Sequence, residues 1–162
     1  MIGFNHLGNL GRLGNQMFEF AALRGIAAKH GYDVCIPPAE HEGIENYSLH
    51  KCFKLDHIPT GFNKSEKFVQ EPHFHYSQEL VDSCPDDISL YGFFQSEKYF
   101  ANAADTIKKD FTFHDDILQP CSDFMSQFAG HEPIMLHVRR GDPGLTDPRG
   151  FKWSYTQCGD QH

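Results

Sequence analysis

The stretch Met1-Ile2-Gly3-Phe4-Asn5-His6-Leu7-Gly8-Asn9-Leu10-Gly11-Arg12-Leu13-Gly14-Asn15-Gln16 decides the reading of the fold. Met1 to Leu7 is short and largely apolar, and glycines follow at once at 8, 11 and 14, the pattern of a strand leaving a sheet into a glycine-rich loop. A helix is predicted next. From Met17 to Ala28 only Glu19 and Arg24 are charged, while Ala21, Ala22, Gly25 and Ala28 are small, so the helix is expected to pack closely against a sheet. Gly31 stands where a glycine ends a helix, and Tyr32 to Ile36 reads as a second strand stopped by Pro37-Pro38. Strand, glycine loop, helix, strand is the βαβ unit of a parallel α/β sheet.

Further along, residues 39–87 mix short apolar groups with turn formers and read as connections and small elements without assigned chemistry. His73 and His75 alternate as strand neighbours would, but lack a third ligand at a metal-binding spacing, so no metal site is assigned. Ile88 to Phe94 reads as a strand, and Ser96 as the N-cap of a helix with Tyr99, Phe100, Ala103, Ala104 and Ile107 on one face. Cys121, Phe124, Met125 and Phe128 recur at helical spacing, with Pro120 in the first turn and Gly130 at the exit. Ile134 to Val138 is nearly continuous in apolar residues, as a strand buried on both faces would be.

With 162 residues the chain suits one domain, or one and a fragment, and 40% hydrophobic residues including 15 Phe supply a core. Its net charge of -8 and its lack of any basic run beyond Lys108-Lys109 or Arg139-Arg140 argue against a nucleic-acid surface. Three of the arginines, Arg139, Arg140 and Arg149, nevertheless cluster near the C-terminus, which leaves room for a local anion site. No stretch is apolar for long enough to span a membrane and no signal peptide opens the chain, so a cytoplasmic location is expected, compatible with peripheral membrane association. The five cysteines are widely separated and fit reduced thiols better than disulfides or structural zinc. Two glycosylation sequons, at Asn46 and Asn63, matter only in a secreted protein.

Two places carry chemistry. The glycines at 8, 11 and 14 are not spaced as G-x-G-x-x-G, which disfavours a dinucleotide site. They still let a backbone approach a ligand at a helix start, where Asn15-Gln16 adds polar side chains; the alternative is a tight turn capped by Asn15. His137-Val138-Arg139-Arg140-Gly141-Asp142 follows the strand predicted at 134–138, and in open α/β sheets ligands bind beyond the carboxyl ends of strands. Arginine suits phosphate because its planar fork donates two hydrogen bonds and keeps its charge; the alternative is a surface turn in which one of the two arginines forms a salt bridge with a carboxylate such as Asp142.

At these places the sequence resembles the glycosyltransferase family 11 α-1,2-fucosyltransferases. Gly11-Arg12-Leu13-Gly14-Asn15-Gln16-Met17-Phe18, Gly92-Phe93-Phe94-Gln95-Ser96-Glu97-Lys98-Tyr99-Phe100 and His137-Val138-Arg139-Arg140-Gly141-Asp142 are similar to three successive motifs of that family, in its order. The resemblance implies an α/β, Rossmann-like parallel sheet forming the first half of a GT-B type glycosyltransferase. Residues 1–132 would be the N-terminal, acceptor-side domain and 133–162 the incomplete start of the GDP-sugar donor domain. It implies transfer of L-fucose from GDP-fucose to the 2-hydroxyl of a terminal galactoside on a glycan acceptor, inverting and without metal or other cofactor. By the same matching Arg139, Asn15 and His137 are candidate catalytic residues, Arg139 gripping the pyrophosphate. Arg139, Arg140, Gly141 and Asp142 would bind the donor, and Gly11, Gly14, Asn15 and Gln16 form the acceptor-side loop. Pro143 stands where the family has an aromatic residue. Members run to nearly twice this length, so the expectation is a truncated chain, and the alternative is a non-catalytic fragment that binds a nucleotide or phosphosugar. The absence of an N-terminal anchor like that of animal members points to a bacterial or viral origin.

Overall fold

The computed structural model describes residues 1–40 and 46–136. Four short strands, β1 (Ile2–Gly3), β2 (Val34–Cys35), β3 (Phe68–Gln70) and β4 (Ser89–Tyr91), form one sheet in the order β2-β1-β4-β3. Every pairing is parallel, with Ile2 opposite Val34, Gly3 opposite Ser89 and Phe68 also opposite Ser89. The α/β, Rossmann-like arrangement read from the sequence is therefore present. Contacts divide the chain into two units, Met1–Ser122, which holds the sheet, and Asp123–His162.

The first connection is helix α1 (Leu13–His30), which begins at Leu13 and not at Met17. Gly11 turns the chain at φ 71° and Arg12 is extended, so the Gln16 N–H already reaches the Arg12 carbonyl at 3.1 Å and closes the first helical turn. Gly14, Asn15 and Gln16 thus belong to the helix, and Arg12, not Asn15, occupies its N-cap. At the other end Gly31 takes φ 71° and its N–H donates to the Ala27 carbonyl, as does the N–H of Tyr32. The helix buries Phe20, Leu23 and Ile26 with Ile2, Phe4, Leu90 and Phe94 in the main core.

Residues 46–87 hold connections and small elements, as expected: α2 (Leu49–Cys52), β3 and α3 (Gln78–Ser83). Strand β3 lies at the sheet edge and leaves Phe68 64% exposed, so it lacks the apolar alternation that would have marked it. Helix α3 is short, but the Ser77 hydroxyl caps it by accepting from the Leu80 N–H at 3.2 Å.

The predicted strand 88–94 shortens to Ser89–Tyr91 because Gly92 (φ 146°) and Phe94 (φ 50°) turn the chain away from the ladder. Ser96 caps as expected, yet the helix it starts is broken. Two 3-10 turns, Glu97–Tyr99 and Ala101–Ala103, precede α4 (Ala104–Asp110). Tight packing accounts for the irregularity: a Cβ on Gly25 would lie 2.2 Å from the Tyr99 carbonyl oxygen, and the Asn102 amide donates to the Gly25 carbonyl at 2.9 Å. The small face of α1 meets this segment more closely than it meets the sheet.

Helix α5 (Asp115–Ser126) starts before Pro120, which sits inside the helix and not in its first turn. The His114 carbonyl accepts from the Ile117 and Leu118 N–H groups, and Asp115 and Asp116 favour the positive end of the helix dipole. The strand predicted at 134–138 is not formed over 134–136, whose side chains are exposed, Ile134 at 97%. A strand needs a neighbour to complete its ladder, and none pairs with this segment among the described residues. His137 and Val138 lie outside them.

Cys35 and Cys84 are buried free thiols, and burial raises both above the ordinary thiol range, Cys84 to about 11 with a smaller contribution from Asp86. Asn63 is also buried, its side-chain amide donating to the Met1 carbonyl at 3.0 Å, which closes that sequon in the folded chain. No helix among the described residues is long and apolar enough to cross a membrane.

Candidate functional site

Strands β1 and β4 are central neighbours, so the chain leaving β1 and the chain leaving β4 emerge side by side at the carboxyl edge of the sheet. The first carries the glycine loop and the second carries Gly92 to Tyr99. A hydrogen bond joins them. Gln95 Nε2 donates to Asn15 Oδ1 at 2.8 Å, although the two residues are 80 positions apart.

The glycine loop is shaped around Asn15. A Cβ on Gly11 would lie 2.0 Å from Asn15 Nδ2, and the residue's φ of 71° already favours glycine. Gly14 is exposed, with no atom within 4 Å of where a Cβ would be. Gln16 points the other way and is fully buried. Its Nε2 donates to the Asn46 carbonyl at 2.7 Å and its Oε1 accepts from the Ser48 N–H at 2.9 Å, which fastens the approach to α2 onto α1. Gly11 and Gly14 are exposed and Asn15 is half-buried, while Gln16 holds the scaffold beneath them.

A residue that sequence reasoning passed over shapes the other side. Glu71, just past β3, accepts from the Phe93 and Phe94 N–H groups through Oε2, both at 2.9 Å. These bonds hold Phe94 at its positive φ, with its buried ring edge-on to Phe4 and Tyr99 at 5.9 and 5.1 Å. Gly92 makes the approach feasible, since a Cβ there would lie 2.5 Å from the Glu71 Cβ. The carboxylate clamps the turn that delivers Gln95 to Asn15. Nothing in the local sequence separates Glu71 from the other acids of the middle segment; its role arises from the parallel pairing of β3 with β4.

Elsewhere, Asp110 is buried between Arg24 Nε and His57 Nε2, each at 2.8 Å, and locks α4 to α1. His73 and His75 stack, ring centroids 3.5 Å apart, in an exposed turn and not on a strand face; His73 Nδ1 lies 2.7 Å from the His75 carbonyl. No group of three or more histidine, cysteine or acidic side chains among the described residues is arranged to hold a metal ion. The donor-side candidates His137, Arg139, Arg140, Gly141 and Asp142 lie outside the described residues.

The structure thus brings the first two motifs together, and relatives carry the comparison further. Galactoside alpha-(1,2)-fucosyltransferase 2 of Sus scrofa is 28% identical over 142 residues, covering 82% of this chain and 40% of that protein. Galactoside alpha-(1,2)-fucosyltransferase 1 of Sus scrofa is 28% identical over 159 residues, covering 88% of this chain and 40% of that protein. The Homo sapiens protein of the same name is 28% identical over 152 residues, with the same two shares. These relatives are galactoside alpha-(1,2)-fucosyltransferases. The resemblance drawn from the three motifs is borne out at that level of identity. The chain spans about two fifths of the length of the curated relatives it matches. All three are mammalian proteins, so they lend no support to a bacterial or viral origin. No family model and no solved structure matches the chain.

Proposed function

We propose that this chain is the acceptor-side half of a GT-B type α-1,2-fucosyltransferase. Residues 1–132 form the acceptor-side domain, and 133–162 begin a donor domain of which the chain holds only part. The enzyme transfers L-fucose from GDP-fucose to the 2-hydroxyl of a terminal galactoside with inversion, on a cytoplasmic or membrane-peripheral protein. The observation that carries this reading is the Gln95–Asn15 hydrogen bond, which joins two of the three motifs at the carboxyl edge of a parallel sheet. The relatives' shared activity supports it independently.

In this reading, negative charge grows on the departing diphosphate as the glycosidic bond breaks. Arg139 stabilises it with two charge-assisted hydrogen bonds, and Arg140, Gly141 and Asp142 complete the donor grip. One such donor is worth about 2.7 to 4 kcal/mol in comparable oxyanion sites. His137 and Asn15 order the reacting groups, Asn15 from the acceptor side, where Gln95 fixes its amide. No carboxylate is assigned as general base, because an oxocarbenium-like transition state needs only weak removal of the acceptor proton.

Transfer of labelled fucose from GDP-fucose to lactose, followed with the chain and with Arg139→Ala, tests the proposal. Turnover that falls by about a hundredfold or more in the variant agrees with loss of one charge-stabilising donor. Turnover equal to that of the unaltered chain contradicts it. The alternative, a binding fragment without catalysis, draws on the chain's two-fifths span, and GDP binding by calorimetry without any transfer would select it.

A further inference from the structure

Gln95, which meets Asn15, sits in a turn that is held from both sides. Before it, the Phe93 and Phe94 N–H groups donate to Glu71 Oε2. After it, the Tyr99 N–H donates to the Ser96 carbonyl at 3.2 Å within the 3-10 turn that Ser96 starts. The Tyr99 ring is buried, 1% exposed, and packs edge-on against Phe94 and Tyr76 with centroids at 5.1 and 4.9 Å. That packing carries its hydroxyl back to Glu71, on the far side of the same turn.

The hydroxyl has a hydrogen to place. It accepts the Ser77 N–H at 3.0 Å, so its own hydrogen still needs an acceptor. Glu71 Oε1 is buried and, apart from the Tyr99 hydroxyl it lies against, has no partner among the described residues. A carboxylate oxygen and a hydroxyl left unpaired in the interior are each costly, and pairing them removes both penalties. Burial raises the Tyr99 hydroxyl above the ordinary phenol range, and the Glu71 carboxylate adds to the rise by its charge and as an acceptor, against a lowering by the Ser77 N–H.

We propose that Tyr99 is a positioning residue for fucosyl transfer, its hydroxyl donating to Glu71 Oε1 and closing a hydrogen-bonded ring around Gln95. The ring runs from the Phe94 N–H through Glu71 to the Tyr99 hydroxyl, and back along the 3-10 turn through Ser96 to Gln95. Each carboxylate oxygen then has a donor, and neither end of the turn shifts without breaking a charge-assisted bond. Tyr99 is buried, so it acts on the acceptor side through Gln95 and Asn15 and not by touching a substrate. The proposal rests on the transferase reading for its effect on catalysis, and on the buried hydrogen bonds alone for its geometry.

Tyr99→Phe keeps the ring and deletes the one oxygen, which makes it the direct test. In the ¹⁵N-labelled chain it should move the amide signals of Phe93 and Phe94 and the side-chain amide signals of Gln95 and Asn15. In fucosyl transfer from GDP-fucose to lactose, kcat should fall by about tenfold or more for a misplaced Asn15, with the KM for GDP-fucose unchanged. Glu71→Gln should do the same, and it supplies both readouts if Tyr99→Phe does not fold. The double variant should lose no more than the more affected single one, because both changes open one ring. Additive losses, or Gln95 and Asn15 side-chain signals that stay in place in the folded variants, would overturn the proposal. If the parent transfers fucose and Tyr99→Phe matches its kcat, the positioning role fails and the transferase reading stands. If the parent transfers none, the transferase reading fails, and the ring stands or falls on the side-chain signals.

Discussion

Two buried glutamates in this molecule have opposite fates. Glu71 receives two backbone N–H groups, whereas Glu19 on α1 is fully buried and neither of its oxygens has a partner among the described residues. Burial alone pushes the Glu19 carboxyl up to about 9. Because the folded chain holds this proton more tightly than the unfolded one, stability is full below the ordinary glutamate range and declines as pH rises toward about 9, where the loss is complete. Denaturation midpoints of the chain should therefore fall between pH 5 and pH 9, by up to about 1.4 kcal/mol per pH unit. Glu19→Met should flatten that slope and raise stability at pH 8; an unchanged slope would show that the carboxyl is not neutral in the fold. At Gly92, φ 146° and the 2.5 Å approach to Glu71 Cβ together predict that Gly92→Ala costs about 1–3 kcal/mol in urea denaturation. A variant as stable as the parent would remove the clamp from this account. The charge at Glu19 is visible in the sequence, but its isolation is not: only the fold shows that among the described residues neither carboxylate oxygen has a hydrogen-bond partner.

Among the elements, α1 was the most legible. Its small residues and terminal Gly31 marked its body and its end. Its start is hard to read because Gly14 looks like loop, although glycine in a first turn costs only about 1 kcal/mol against alanine. The partner of its small face could not be read either, since Tyr99 and Phe100 lie some seventy positions away and meet Gly25 only through the packed fold. Adding a methyl group there drives a side chain into backbone that cannot step aside. Gly25→Ala is predicted to lower the melting temperature and to cost about 1–3 kcal/mol, while Ala28→Gly on the same helix should cost only about 1 kcal/mol. Equal effects at the two sites would mean that the close approach carries no weight. Strand β3 escaped notice for a different reason: an edge strand with exposed faces has no apolar period, and its pairing with β4 comes from position in the sheet.

At the scale of the whole molecule, parallel topology turns two distant sequence motifs into one surface. The glycine loop after β1 and the Glu71-clamped turn after β4 are brought together by strand order, and the sequence disclosed both motifs but not the carboxylate that aligns them. The proposal that rests on this edge is a sugar-nucleotide transferase with Arg139 and Arg140 as its donor arginines. A titration of the ¹⁵N-labelled chain with GDP tests it most directly. The account predicts saturable GDP binding with shifts at the amides of Arg139, Arg140, Gly141 and Asp142, and its loss in the Arg139→Ala, Arg140→Ala double variant. Saturable binding that the double variant retains, or an absence of any shift at those amides, would contradict it.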